Sequence, residues 1–402
     1  MNKKEVKKAP ALRFKGFTND WEQRKLGEIA KTYSGGTPSI SNKKFYINGH
    51  IPFIKSGEIG STRTEQKINY DGLNNSSARL IETGTLLYAL YGATSGKAAI
   101  SPIDGAINQA VLAIIPQNNV NRFIYEWLNK NKSRITGKYL QGGQGNLSAK
   151  IIKQINIYIT SKNEELKISN ILRIVNKIIS LQQRKLELLK ASKKAVLQNI
   201  FTDTKRVPTI RFNTFSENWN QKRLKPFLIK YNKKTTVNNQ YPVLTSSRQG
   251  LFFQKDYYDG NQIASKNNIG YNIVPRNYFT YRHMSDDLIF HFNINTICDY
   301  GIVSTLYPVF TTTSEIDSQW LLYYLNHSVD IKKYALLQKQ GGSRTYMYFS
   351  KLESLKAHIP ALAEQKKISS LIFKIDEQIY FQQKKLKYLQ KSKRFLLQNM
   401  FI

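Results

Sequence analysis

The sequence of 402 residues contains one cysteine, Cys298. A single thiol excludes a disulfide framework and any thiolate metal cage, and it fits a reducing compartment. Acidic residues are scarce too: 27 Asp and Glu stand against 61 Lys and Arg, a formal charge of +34. Such an excess repels itself in a compact chain unless a polyanion or an acidic partner offsets it. Nucleic acid is the first candidate, because each neutralised phosphate releases condensed counterions. The basic residues are spread along the whole chain, which argues for nucleic acid over a membrane surface. No apolar run approaches the roughly 20 residues that span a bilayer. Met1 to Phe14 is basic and lacks the continuous apolar stretch of a signal peptide. The expected setting is a soluble protein of the cytoplasm with no membrane contact.

Motifs of catalysis are missing as well. A phosphate-binding motor loop needs Gly, four residues, then Gly-Lys-Ser/Thr. The nearest stretch, Gly92-Ala-Thr-Ser-Gly96-Lys97-Ala98, has three intervening residues and ends on alanine, so it reads as a glycine-rich turn. An amino-methylase of the common kind carries Asn or Asp, two prolines and an aromatic, and this chain has no adjacent prolines. No glycine-rich fingerprint opens a strand–helix unit. His50, His283, His291, His327 and His358 lack metal-ligand spacing. His283 and His291 flank Asp286-Asp287, which reads most simply as a polar strand–turn–strand, and Asp376-Glu377 reads as a solvated helix face. Metal, cofactor and catalytic residues are therefore all expected to be absent. Beside a binding protein, two other readings stay open: a stand-alone nuclease or methylase with unfamiliar motifs, and a basic coiled-coil scaffold.

What is present is a chain written twice. Pro10, Arg13, Phe14, Phe17, Trp21, Gln23 and Leu26 recur as Pro208, Arg211, Phe212, Phe215, Trp219, Gln221 and Leu224, offset by 198. Gln141-Gly142-Gly143 returns as Gln340-Gly341-Gly342, and Glu164 to Ser169 as Glu364 to Ser369. Leu197-Gln198-Asn199 and Phe201 come back 200 residues later. Between these flanks the copies diverge. Residues 31–140 and 230–339 mix Tyr, Phe, Ile, Thr and Val with Gly, Asn, Ser and Asp at short intervals. That pattern predicts short strands and turns, with helices near Arg122 to Lys132 and Ser318 to Ser328. The fold class predicted is α+β with an internal pseudo-two-fold repeat.

From Lys162 to Ile200 there is no Pro or Gly, and good helix formers dominate. Ser161-Lys-Asn-Glu164 has the spacing of a capping box, and Pro360 suits a first turn in the second copy. Apolar positions then step by four and three. The first seam is Ile168, Leu172, Val175, Ile179, Gln182, Leu186 and Leu189; the second is Ile368, Ile372, Ile375, Ile379, Gln382, Leu386 and Leu389. This is a coiled-coil seam, and two matched copies predict an antiparallel pair of long helices. A glutamine at the same place in each seam either fixes register or lies solvated at the edge.

Base readout needs paired donors and acceptors set among cations that hold phosphates. Such side chains occur in the glycine-rich parts of the first variable segment: Lys55, Ser56, Arg63, Thr94 with Ser95, Lys97, Asn108 with Gln109, Gln141 and Gln144. In the second they are Ser246, Arg248, Gln249, Lys266 with Asn267, Tyr281 with Arg282, Gln340, Ser343 and Arg344.

Two variable domains alternating with two repeated helices, flanked by Pro-x-x-Arg-Phe…Trp and Gln-Gly-Gly…Leu-Gln-Asn in both copies, resemble the specificity subunit of a Type I restriction–modification system. Gly36-Thr37-Pro38, Tyr91 to Lys97 and Asn108-Gln109-Ala110 are also similar to stretches of its target-recognition domains. Ile159-Thr160 stands where the family has Ile-Pro, which the second copy keeps as Ile359-Pro360. The resemblance implies target-recognition domains at residues 1–160 and 202–359 and spacer helices at 161–201 and 360–402. It implies a non-enzymatic reader of duplex DNA, each domain taking one half of a split site. It also implies two docked modification subunits that methylate adenine with S-adenosylmethionine, and restriction subunits, where the system has them, that use ATP and Mg.

Overall fold

The computed structural model describes residues 9–140, 146–201, 207–260, 267–339 and 344–402; of Leu140 only the backbone is described. The long helices run Lys162–Phe201 and Leu362–Asn399, about 60 and 57 Å at 1.5 Å per residue. Compactness divides the chain into two units that cut both helices: Met1–Gln183 with Lys384–Ile402, and Arg184–Gln383. Segments read along the chain at 161, 202 and 360 therefore differ from the packed units.

In the first unit, strand Glu22–Lys25 pairs antiparallel with Asn156–Ile159 and ties the two flanks of the domain together. Between them lies an antiparallel sheet in the order Ala30–Ser34, Val111–Pro116, Leu86–Ala89, Ala98–Ile100. Its central strands are buried on both faces. Leu86, Tyr88, Leu112 and Ile114 face the helices, while Leu87, Ala89, Val111 and Ala113 face a second sheet. That second sheet runs Gln66–Ile68, Ile51–Ile54, Gly105–Ile107, Arg79–Ile81, with the middle pair parallel. Helix Asn121–Lys130 covers the first sheet through Phe123, Ile124, Trp127 and Leu128.

The second unit repeats this frame. Strand Asn220–Arg223 pairs with Lys356–Ile359. Its central sheet runs Leu228–Lys230, Val309–Thr312, Phe279–Tyr281, Phe292–Ile294, and helix Ser318–His327 covers it. In chain order both sheets read first, fourth, second, third. The variable segments thus share a topology that their residues do not reveal, because a sheet face demands only apolar alternation and not particular side chains.

Each unit holds the start of one long helix and the end of the other, running in opposite senses. Ile168 and Leu172 share a core with Met400 and Phe401 in the first unit. Ile368 and Ile372 share one with Leu197, Ile200 and Phe201 in the second. The helices form the antiparallel pair that the seams predict. All fourteen seam positions are buried or half-buried, in the same pattern in both copies except at the glutamines, where Gln382 is buried and Gln182 is half-buried. The ends are capped by incoming backbone: Leu12 N–H donates to the Asn399 carbonyl (2.8 Å), and Thr209 N–H to that of Asn199 (3.0 Å).

The predicted capping box forms only in half. Ser161 Oγ accepts from the Glu164 N–H at 3.4 Å, but the Glu164 carboxylate turns away to Arg13, which donates through Nε (2.6 Å) and Nη2 (2.9 Å). Thr160, which stands where the second copy has Pro360, donates its hydroxyl to the same carboxylate. Glu164 is fully buried; burial pushes its carboxyl up, but the bonds from Arg13 and Thr160 outweigh this and hold it below the usual range. Arg211 grips buried Glu364 in the same fork, at 2.8 Å through both nitrogens. A tertiary guanidinium wins over the local cap because a buried carboxylate needs a full countercharge.

Glu126 is a different case. It is buried on helix Asn121–Lys130 and accepts from Asn176 Nδ2 at 3.0 Å, with Arg122 3.7 Å away. Burial raises its pKa beyond what Lys393, Arg122 and Asn176 restore. At the corresponding place in the second unit the carboxylate sits on the long helix instead: Asp376 accepts from Tyr323 (3.2 Å) and pairs with Lys193 at 2.6 Å.

Two outcomes are expected. Arg13→Ala strands a buried charge and costs about 3 kcal/mol in chemical denaturation, and adding Glu164→Gln recovers most of it. An unchanged midpoint for Arg13→Ala would contradict the clamp. For Glu126 the folded pKa lies above the unfolded value, so its contribution is favourable at low pH and is lost as pH rises through the folded pKa. Glu126→Gln should therefore melt above wild type at pH 7.5, with the gap closing toward pH 4.

Candidate nucleic-acid interface

In the first domain, strand ends gather four loops on one side. The parallel strands Ile51–Ile54 and Gly105–Ile107 end side by side, Ile54 opposite Ile107, and deliver Lys55-Ser56 and Asn108-Gln109 to the same edge. Ala30–Ser34 leads into Gly35-Gly36-Thr37, where backbone passes so close that a Cβ on Gly35 would lie 1.7 Å from the Ile107 carbonyl oxygen. Thr37 Oγ1 lies 2.6 Å from Gln109 Oε1 and donates to it, which leaves the exposed Gln109 amide as a donor.

The fourth loop is Tyr91 to Lys97. Gly92 and Gly96 both have positive φ (86° and 79°), and Ser95 N–H donates to the Gly92 carbonyl at 3.0 Å. It is the glycine turn that the sequence suggests. A Cβ at Gly92 would meet Ser56 Oγ at 3.8 Å, so this loop adjoins the Lys55-Ser56 loop. Thr94 and Lys97 are half-buried, and Arg63 is exposed. Ser95 and Asn108 serve the fold instead: Ser95 Oγ donates to the Leu90 carbonyl, and Asn108 Oδ1 accepts from Ala110 N–H. Gln141 and Gln144 lie outside the described residues. Arg79, which no sequence motif singles out, lies over the Tyr33 ring at 5.6 Å.

In the second domain the hairpin Leu244–Ser247 and Gly250–Phe253 carries Arg248 and Gln249 at its tip, both exposed. Ser246 is not free to read a base: buried Asn293 donates to its Oγ (2.8 Å) and to the Ser247 carbonyl (2.9 Å), locking the hairpin to the sheet. Tyr281 is a core residue whose hydroxyl donates to the Met347 carbonyl at 2.9 Å, and burial raises its pKa. Both were drawn inward because each has a buried polar partner to satisfy. Arg282 stays exposed. Lys266, Gln340 and Ser343 lie outside the described residues, whereas Asn267 is exposed.

Asp286-Asp287 carries more than the sequence suggests. Arg248 Nη2 donates to both oxygens of Asp287 (2.7 and 2.6 Å), and Arg344 Nε donates to Asp286 at 3.0 Å. Arg248 with Ser285 holds the Asp287 carboxyl down at about 2. Neither neighbouring histidine makes a metal site with them, and no group of metal-ligating side chains occurs among the described residues. No helix is long and apolar enough to cross a membrane among them either.

These two loop sets belong to a recognisable frame. Residues 18–191 match the model of the Type I restriction modification DNA specificity domain. A specificity subunit of the EcoR124I/EcoR124II Type I restriction enzyme of Escherichia coli is 29% identical over 170 residues, 40% of this chain and 42% of its own length. The chain thus spans less than half of that relative. The MjaVIII specificity subunit of Methanocaldococcus jannaschii is 19% identical over 411 residues, 94% of this chain and 91% of that one. In solved structures, the Type I restriction–modification S subunit of M. genitalium superposes with a TM-score of 0.58 at 14% identity, covering 98% and 99% of the two chains. The fold is shared along the chain with that S subunit, and over residues 18–191 the chain is similar to the Type I restriction modification DNA specificity domain.

Proposed function

We propose that the chain is the non-catalytic specificity subunit of a Type I restriction–modification complex, acting in the cytoplasm. Each domain reads one half of a split duplex site, and the paired helices set the gap. The observation that carries this reading is one frame built twice around chemically different loops. Strand pairing, central sheet order, Arg–Glu clamp and seam agree between copies. The loops do not: the first offers Gln109 beside Thr37 with Lys55 and Lys97, and the second offers Arg248 and Arg344 on two aspartates. Selection for one frame with two faces is what a bipartite target asks for, because phosphate contacts position a reader while base contacts specify.

The charge of +34 supports duplex DNA as the ligand. The outer faces of the long helices carry apolar side chains in the open, among them Ile174, Leu181, Tyr388 and Phe395, each more than half exposed. Such patches support docking of partner subunits, here two modification subunits, joined by restriction subunits where the system has them. S-adenosylmethionine, ATP and Mg belong on this reading to those partners.

Deleting one heptad from each seam, residues 183–189 and 383–389, keeps the four–three phase and shortens each helix by about 10 Å. Mapping methylated adenines after co-expression with the modification subunit should return unchanged half-sites separated by a shorter gap. Altered half-sites with the old gap would overturn the ruler. Purified alone with duplex DNA, divalent metal and S-adenosylmethionine, the chain should retain DNA with a steep salt dependence and yield no cleaved or methylated product.

A further inference from the structure

The pair of arginines on Asp286-Asp287 is built unlike an ordinary surface ion pair. Three segments converge there. The hairpin tip brings Arg248, fastened through Asn293. The short strand Met284–Ser285 brings the aspartates, and its partner Thr345–Tyr346 brings Arg344, with Ser285 opposite Thr345. The turn itself is fixed: Asp287 Oδ1 accepts from Ser285 Oγ (2.9 Å) and Ile289 N–H (3.2 Å). Leu288 stands at φ 67°. A branched apolar residue in the left-handed region is costly, and it persists where the surrounding structure demands that turn, commonly at ligand sites.

The donor geometry fits a base edge. Arg344 uses Nε on Asp286, so both terminal nitrogens point onward as a fork. Arg248 uses Nη2 on Asp287, leaving Nη1. Both arginine side chains are more than half exposed. An arginine already held by a carboxylate has lost its rotamer freedom before binding, and its charge is offset, so it attracts phosphate weakly and keeps its directed donors. Guanine presents two acceptors, O6 and N7, in the major groove, the arrangement a guanidinium fork matches.

Resting on the reading of the second domain as a half-site reader, we propose that Arg344 and Arg248, aimed by Asp286 and Asp287, read guanines in the major groove of that half-site. Arg344 takes O6 and N7 together and Arg248 donates a single bond. Arg276, paired with Asp299 at 2.9 Å and also tied to the Thr296 carbonyl, has no second arginine on a neighbouring carboxylate and serves as the control.

The test is selection of a randomised duplex pool by the full chain, followed by sequencing. Wild type should enrich a split site with guanine at fixed positions in one half. Arg344→Lys, which keeps the charge and loses the fork, should lower the preference for one guanine roughly tenfold or more, with the other half-site and the affinity for random duplex nearly unchanged. Asp286→Asn should relax the same position more mildly, and Arg276→Lys should leave the site as it is. Melting temperatures equal to wild type would show that the variants are folded. If Arg344→Lys weakens all sequences alike, the residue is a phosphate contact and the proposal fails. If the motif is untouched it fails also, while the half-site reading survives. Should wild type enrich no sequence, that reading falls and takes the proposal with it.

Discussion

Phe401 lies between Trp21 and Phe123, with ring centroids 6.4 and 5.0 Å away, and Phe201 meets Trp320 and Tyr324 at 6.3 and 6.1 Å. In each unit the end of one copy's long helix completes the core of the other copy's domain: Phe401, two residues past Asn399, does so in the first unit and Phe201, the last helical residue, in the second. Burying an aromatic ring in such a core stabilises by a few kcal/mol, so neither domain core is finished by its own sequence segment. The clamp Arg13–Glu164 and its twin Arg211–Glu364 then fasten the opposite end, where each helix leaves its own domain. Every long helix is thus held at both ends by chemistry that tolerates little displacement.

The repeat is symmetric where it must be and asymmetric where it can be. Glu165 accepts from Val120 N–H at 2.7 Å, and Gln365 in its place accepts from Asp317 N–H at 2.8 Å, so an acid and an amide do one job. Glu126 with Asn176 becomes Tyr323 with Asp376 and Lys193; the carboxylate has moved from the domain to the helix. Both exchanges keep the exchanged side chains partnered, which is the condition that matters. Loops facing solvent carry no such condition, and there the copies part completely.

That difference explains how the interface is built. Strands end at one edge because the sheet order brings residues 54 and 107, 35 and 108 to neighbouring places. Side chains on those loops are then sorted by what lies beneath them. Ser246 and Tyr281 find buried partners and turn inward, while Gln109, Arg248 and Arg344 find partners at the surface and remain directed outward.

By itself the sequence determined the duplication, the two helices and their seam, since these rest on spacing, and spacing survives in one dimension. Ile168 to Leu189 and Ile368 to Leu389 announce their buried stripe without any knowledge of a neighbour. It also determined that catalytic and metal-binding motifs were not to be expected. Tertiary structure alone decided which domain each helix end completes, that Glu164 serves Arg13 and not its own cap, and that Asp286-Asp287 pins two arginines from distant segments. Those outcomes depend on which groups meet after folding, separated by 151 residues in the case of Arg13 and Glu164. A buried charge or an unpartnered donor is satisfied by whatever lies within about 3 Å of it, and nothing in the order of residues states that distance.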